Sequence, residues 1–129
     1  MDLREYFDHS RMVEMRTEQV VASLDSLAQA TRLAIFRLLV KRGPEGLHAG
    51  AIGRSLGVPA SSLSFHLHQL KHAGLVTQER RSRQLIYATN FARMNELIAY
   101  LTENCCGGAS WGPVCQVPSS VSAKRAQAR

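Results

Sequence analysis

Cysteine is missing from most of this chain: of its 129 residues only three are cysteines, and all three, Cys105, Cys106 and Cys115, come late. A disulfide framework within the part that precedes them is therefore excluded. Long apolar runs are missing too, because Arg37 interrupts the richest one, and the acidic N-terminus lacks the apolar segment of a signal peptide. We therefore expect a cytoplasmic protein without a membrane span, whose thiols stay reduced and can bind metal.

Acidic residues become scarce along the chain. The sequence has 16 Lys and Arg against 10 Asp and Glu, for a net charge of +6. Residues 54–84 contain five Lys or Arg and only one acid, Glu79. Such an excess favours a polyanionic partner, either nucleic acid or an anionic membrane surface. The length leaves room for one domain, and a domain of this size keeps much of its surface exposed unless a partner covers it, so we expect a homodimer.

Composition divides the chain into three segments. Residues 1–16 form a polar extension without a convincing period, residues 17–104 hold the periodic apolar residues of a folded domain, and residues 105–129 are rich in Gly, Pro, Ser and Ala and end basic. We expect the last segment to carry the cysteine site and otherwise to lack stable structure.

Four helices are predicted before the first β-hairpin. Apolar residues recur at helical spacing within residues 17–29, 33–40, 48–56 and 60–73. Gly43, Gly57 and Gly74 follow the last three of these segments and are typical helix stops. Gly50 and Gly53 weaken the prediction for the third helix, because each costs roughly 1 kcal/mol relative to alanine.

A β-hairpin and a last helix complete the domain. Residues 75–79 and 85–89 are rich in β-formers and lie on either side of residues 80–84, which predicts a hairpin. The connecting residues 80–84 contain no glycine, which is unusual for a two-residue turn, so we expect a longer, mobile hairpin tip. The last helix begins at Phe91 and ends near Asn104, which can serve as its cap.

This order of elements, mostly α with a small β-hairpin wing, is that of a winged helix-turn-helix domain, in which the helix after the turn enters the major groove of DNA. On that helix Leu63, Leu67 and Leu70 form an apolar stripe, so the opposite and flanking side chains face outward. They are candidates for contacts with base edges and phosphates, and the arginines of the hairpin tip are candidates for contacts with the phosphate backbone. The predicted DNA-binding residues are Ser61, Ser62, Ser64, Phe65, His68, Gln69, Lys71, Arg80, Arg81 and Arg83.

An ordinary solvated helix face is the alternative for this helix alone, and the basic hairpin beside it favours DNA binding. His66 lies beside the leucine stripe, so we expect a half-buried packing or hydrogen-bonding role for it rather than a base contact. His66 and His68 diverge around the helix and cannot easily share a metal ion. His48 and His72 are isolated in the sequence and are not predicted to be ligands.

Two stretches resemble the ArsR family of metal- and metalloid-responsive repressors. Residues 27–33, LAQATRL, resemble the opening of its core helix, and residues 61–76, SSLSFHLHQLKHAGLV, resemble its recognition helix running into the first wing strand. The resemblance implies a homodimer that pairs through its first and last helices and leaves its operator when an inducer binds. The departures from the family pattern are Ala30 in place of proline, and Pro59, Ala60 and Phe65 in place of polar residues.

The family's two familiar inducer sites have no counterpart in this sequence. One uses cysteines in the helix before the turn, where residues 47–56 have none, and the other uses histidines and carboxylates of the last helix, where residues 91–104 have no histidine. Cys105, Cys106 and Cys115 instead resemble the C-terminal arsenite site of some members, which implies As(III) or Sb(III) as the inducer and no organic cofactor. Three soft thiolates also point away from hard ions such as magnesium.

Three alternatives stay open. Cys115 can be a tail cysteine, which leaves a two-thiol site suited to a monomethylated arsenical. The thiols can instead be incidental, or can sense oxidants or soft metals such as cadmium and bismuth. The third alternative is a small thiol enzyme, but a Cys-x-x-Cys motif and a phosphate-binding glycine loop are both missing from the sequence. We therefore expect a regulator rather than an enzyme.

Overall fold

The computed structural model describes residues 15–108. Over this range the order of elements confirms the predicted fold, which is mostly helical with a small sheet. The elements are α1 Thr17–Leu27, α2 Ala30–Arg42, β1 Leu47–His48, α3 Ala49–Leu56, α4 Ala60–His72, β2 Val76–Arg81, β3 Gln84–Thr89 and α5 Phe91–Leu101. None of the helices in this range is long and apolar enough to cross a membrane.

The described residues form two units. Thr17–Met94 hold the first four helices, the sheet and the start of α5, whereas residues 15–16 and 95–108 belong to the second unit. All the predicted DNA-binding residues lie in the first unit, and Cys105 and Cys106 lie in the second.

Aliphatic side chains of α2 and α4 form the centre of the first unit. Ile35 and Leu39 of α2 and Leu67 and Leu70 of α4 each expose at most 1% of their surface. α2 packs against α4 and against β3. Burial of each such side chain contributes roughly 1.5 to 3 kcal/mol, so these contacts fix which face of α4 points outward.

α1 keeps apolar side chains on its outer side. Val21 and Leu24 are 58% and 42% exposed. Val20 is buried, but the other two buried positions of the helix are Ser23 and Ser26, whose hydroxyls donate to the carbonyls of Gln19 and Ser23, each at 2.8 Å. Because these hydroxyls are satisfied within the helix, the two serines can be buried without losing hydrogen bonds.

α1 ends at Leu27, two residues earlier than predicted, because Gln29 begins the next helix. The Gln29 side chain accepts a hydrogen bond from the backbone N–H of Arg32 at 2.8 Å. The Arg32 guanidinium in turn donates to the carbonyl of Ser26 at 2.7 Å. The corner between α1 and α2 is therefore closed by polar groups, which helical periodicity does not reveal.

The short strand β1 is not predicted by the sequence pattern. Leu47 pairs with Tyr87 and His48 with Ile86 in antiparallel register, which gives a sheet with the order β1-β3-β2. Two residues are too few to show strand alternation. Gly46, which precedes β1, has a positive φ of 71°, and a Cβ there would collide with the Tyr87 carbonyl oxygen, so this close approach requires glycine.

The wing tip is shorter than predicted. β2 continues to Arg81 and β3 begins at Gln84, so only Ser82 and Arg83 form the turn. Ser82 takes a positive φ of 56°, the left-handed conformation that tight hairpin turns normally assign to glycine or asparagine. The prediction of a long tip was wrong because it assumed that serine would not adopt this conformation.

Candidate nucleic-acid interface

A histidine caps the start of α3, and a glycine in this helix allows it to pack closely against α4. His48 Nδ1 accepts a hydrogen bond from the backbone N–H of Ala51 at 3.2 Å and so caps the N-terminus of α3. A Cβ on Gly53 would lie 3.1 Å from the Val58 carbonyl oxygen and 3.3 Å from Leu63 Cδ2. The absence of a side chain at Gly53 therefore lets α3 approach α4 closely, which offsets its low helix propensity.

The outer face of α4 carries short hydroxyls, an aromatic ring and an imidazole. The opposite stripe of Leu63, Leu67 and Leu70 is buried, as predicted. We call the exposed side the reading face; it consists of Ser61, Ser64, Phe65 and His68. Small hydroxyls allow close approach to DNA, and both serine and histidine can hydrogen-bond to base edges or phosphates.

Ser62 and Gln69 lie on the flanks of the reading face and are half-buried. The Ser62 hydroxyl donates to the carbonyl of Pro59 at 3.1 Å. Pro59, the N-cap residue of α4, has no side-chain hydrogen bond to the first turn, and the Ser62 hydroxyl instead connects this turn back to the Pro59 backbone. Its role in the structure is local, in addition to the predicted contact with DNA.

Phe65 is the large apolar group on the reading face, with 58% of its surface exposed. Its ring meets the imidazole of His66 edge to face, with ring centroids 5.9 Å apart. His66 is half-buried, as predicted, and among the described residues its Nδ1 has no hydrogen-bond partner. Phe65 is therefore held at its base by His66 while its outer edge is available to a partner.

Lys71 joins the end of α4 to the wing. Its ammonium donates to the side-chain oxygen of Gln78 on β2, and the Gln78 amide donates to the Tyr87 hydroxyl on β3 at 3.1 Å. This chain of bonds crosses from the helix to both strands of the hairpin. Lys71 therefore helps to set the angle between α4 and the wing, as well as carrying one of the charges predicted to face DNA.

The wing exposes its three predicted arginines. Arg81 forms an ion pair with Glu79 at 3.2 Å, and an exposed pair of this kind contributes at most about 1 kcal/mol. Arg80 and Arg83 are exposed at the same tip. A basic tip beside a helix with a polar outer face suits contacts with the phosphate backbone.

Two exposed residues of the helix-turn-helix were not among the predicted contacts. Arg54 lies in the last turn of α3 and is exposed, and its share of the positive charge of residues 54–84 was the signal for it. His72 lies one helical turn after His68, and their rings stack with centroids 6.2 Å apart. Spacing of i and i+4 was the signal for this pair.

The cysteine segment lies only partly within the described residues. α5 ends at Leu101, three residues earlier than predicted, and Asn104 takes a left-handed φ of 56° before a short 3-10 turn, Cys105–Gly108. Cys105 is half-buried there, and its N–H donates to the carbonyl of Thr102 at 3.1 Å. Cys115 and the side chain of Cys106 lie outside the described part. Within residues 15–108 no three His, Cys, Asp or Glu side chains gather as a metal site.

Comparisons with known proteins agree with this geometry. Residues 27–79 match a helix-turn-helix domain family. The HTH-type transcriptional regulator YgaV of Escherichia coli (strain K12) is 30% identical over 94 residues, which cover 73% of this chain and 93% of that protein.

Solved structures show the same fold. An ArsR-like transcriptional regulator from Rhodococcus sp. RHA1 superposes with a TM-score of 0.59 at 24% identity, over 65% of this chain and 76% of the other. The homodimeric winged helix-turn-helix DNA-binding domain of Mb0332 from Mycobacterium bovis, a possible ArsR-family transcriptional regulator, gives a TM-score of 0.54 at 25% identity, over 73% and 87%.

Proposed function

We propose that this chain, which belongs to the ArsR-type helix-turn-helix transcriptional regulators, is a homodimeric repressor of inducible genes. It binds an inverted-repeat operator and releases it when As(III) or Sb(III) is bound by Cys105, Cys106 and Cys115. The observation that supports DNA binding is the reading face of α4. The buried leucine stripe turns this face outward, and the basic wing lies next to the helix.

Exposed apolar side chains support pairing of two chains. Val21 and Leu24 of α1 are exposed, and so is Leu101 of α5, at 56%. Apolar surface of this kind is normally covered by a partner. Pairing through α1 and α5 would give the two reading faces the two-fold symmetry of an inverted repeat, with half-sites about 34 to 36 Å apart.

The position of Cys105 supports coupling between the inducer and DNA. Cys105 lies four residues after the end of α5 at Leu101, and Asn90 at the other end of this helix holds the turn after α4. The Asn90 amide donates to the Gly74 carbonyl at 3.0 Å, and its oxygen accepts from the Arg93 N–H at 3.2 Å. A shift of α5 caused by thiolate binding therefore has a physical route to α4. Such couplings are typically worth about 1 to 3 kcal/mol and act equally in both directions.

The test is operator binding followed by fluorescence anisotropy, with a duplex selected by the protein from a random-sequence pool. We expect arsenite to release the wild-type protein under reducing conditions. Cys105→Ser and Cys106→Ser variants should bind the duplex normally and remain bound when arsenite is added. Release of both serine variants by arsenite would refute the thiolate site, and failure of the wild-type protein to select any duplex would refute DNA binding.

Cys115 decides between two versions of the inducer site. If it is the third ligand, Cys115→Ser should lose the response to arsenite. A Cys115→Ser protein that still responds to methylarsenite but ignores arsenite would identify Cys105 and Cys106 as the core pair and Cys115 as the residue that sets selectivity. Release by cadmium or by an oxidant, without release by either arsenical, would favour the soft-metal or redox alternative.

A further inference from the structure

We propose that His68 and His72 form a second metal site, in which their two imidazoles bind one divalent first-row cation of the Cu²⁺, Ni²⁺ or Zn²⁺ class. The site lies on the outer side of α4, in a different unit from Cys105. We further propose that this cation and operator DNA exclude one another. The metal site stands independently, whereas the exclusion rests on the proposed DNA-binding function.

The geometry of the two rings carries the proposal. His68 and His72 are both exposed, and their rings lie with centroids 6.2 Å apart and planes 18° from parallel. Residues at i and i+4 project from the same helix face, and this spacing presents two imidazoles to one zinc ion in H-E-x-x-H sites. Side-chain rotation alone brings the ring nitrogens together, because neither ring is packed inside the core.

The helix end at which the pair lies stabilises positive charge. His72 lies in the last turn of α4, where the partial negative charge of the helix dipole stabilises positive charge. The neighbouring Lys71 ammonium donates to Gln78 on the wing, so its charge is held by a partner on β2. Imidazole suits copper, nickel and zinc, whereas magnesium and calcium require oxygen ligands.

Exclusion of DNA follows from the place of His68 on the reading face. An ion bound to both imidazoles occupies the nitrogens that His68 would use at a base edge or a phosphate. It also adds a hydrated ion to a face whose serines otherwise permit close approach. DNA and the cation therefore compete for the same side chains.

The site is tested by calorimetric titration of Ni²⁺ and Cu²⁺ into the full chain with Cys105, Cys106 and Cys115 replaced by serine, which removes the competing thiols. We expect one ion per chain, tighter binding of Cu²⁺ than of Ni²⁺, and no binding of Mg²⁺. His68→Gln or His72→Gln should each weaken Ni²⁺ binding by about 100-fold, because linked ligands exceed single ones by at least this factor.

A relocation variant separates the pair from a general effect of histidine content. In His72→Gln, the additional change Ser64→His recreates the i, i+4 spacing with His68 one turn earlier and should restore Ni²⁺ binding. The matched control places the new histidine at Ser61 instead, seven residues from His68, and should not restore it. Circular dichroism checks that each variant remains folded. Equal Ni²⁺ affinities of the relocation variant and its control would overturn the chelate site.

Exclusion is measured separately, as Ni²⁺ affinity with and without saturating operator duplex. We expect at least a tenfold weaker affinity in the complex, as for a coupling of about 1.4 kcal/mol. Equal or tighter Ni²⁺ binding in the complex would overturn the exclusion and leave the metal site standing. If no operator is bound at all, the proposed function fails, while the titrations of the free protein still decide whether the site exists.

Discussion

The recognition helix α4 and the wing are two parts of the same surface that are held in place in different ways. Buried leucines anchor α4, and its outer side chains are mostly small or aromatic. The wing is held by backbone pairing of β2 with β3, and its tip carries exposed arginines. We therefore expect α4 to distinguish DNA sequences through the shape and contacts of its outer side chains, and the wing to supply positive charge.

The largest expected effect compares two leucines, one in each region. Leu67 of α4 exposes 1% of its surface, whereas Leu85 of β3 exposes 39%. Leu67→Ala should lower the free energy of unfolding by about 2 to 5 kcal/mol, because it leaves a cavity in the core. Leu85→Ala, the matched control, should cost far less. Urea denaturation measures both, and equal losses would show that the wing is anchored as firmly as α4.

The next effect separates sequence reading from charge. Phe65→Ala should weaken binding to the selected operator by about 1 to 3 kcal/mol. It should also reduce the difference in affinity between the operator and a random-sequence duplex. Arg83→Gln should instead weaken binding to both duplexes and lower the slope of log K against log salt by about 1.

Anisotropy titrations at several salt concentrations give both the affinity and the slope. Phe65→Ala provides the uncharged control for the slope, and Arg83→Gln provides the control for discrimination. If Phe65→Ala changes only the salt slope, or if Arg83→Gln changes only the discrimination between operator and random DNA, then α4 and the wing do not have the separate roles proposed for them.

The same difference explains how far the sequence could predict the fold. The stripe of Leu63, Leu67 and Leu70 and the stop at Gly74 are local signals, so α4 was predicted nearly in full. β1 depends on a long-range pairing of Leu47 with Tyr87. A segment of two residues is too short for its sequence pattern to predict such a pairing. Strand pairing also determines the wing turn. The paired strands β2 and β3 hold Ser82 in a left-handed conformation that serine rarely adopts.

The site was predictable to a similar degree. Exposure of Ser61, Ser64, Phe65 and His68 follows from the helical period alone. The bonds of Lys71 and the helix cap of His48 could not be predicted, because they depend on partners and backbone positions that only the folded chain brings together. The ligand set of the cysteine segment stays a prediction from the sequence, since Cys115 lies outside the described residues.

A smaller effect tests the connection between the two regions. The bond from Lys71 to Gln78 holds the end of α4 against β2, and a hydrogen bond of this kind contributes about 0.5 to 1.5 kcal/mol. A double-mutant cycle with Lys71→Met and Gln78→Ala should give a coupling within this range for stability. It should give a further coupling for operator affinity, because the wing angle changes. Additive effects in both measurements would show that α4 and the wing are positioned independently.

The smallest expected effect concerns the wing tip. Ser82 has a φ of 56°, and a non-glycine residue held in the left-handed region costs about 1 to 3 kcal/mol. Glycine removes this strain but loses about 0.5 to 1 kcal/mol through the greater freedom of the unfolded chain. Ser82→Gly should therefore raise the free energy of unfolding by roughly 1 kcal/mol, since the relieved strain is the larger of the two terms. Gln84→Gly, in the adjacent strand, has no such strain to relieve and should be destabilising. If both variants lose stability in urea denaturation, strand pairing rather than the turn conformation sets the strength of the wing.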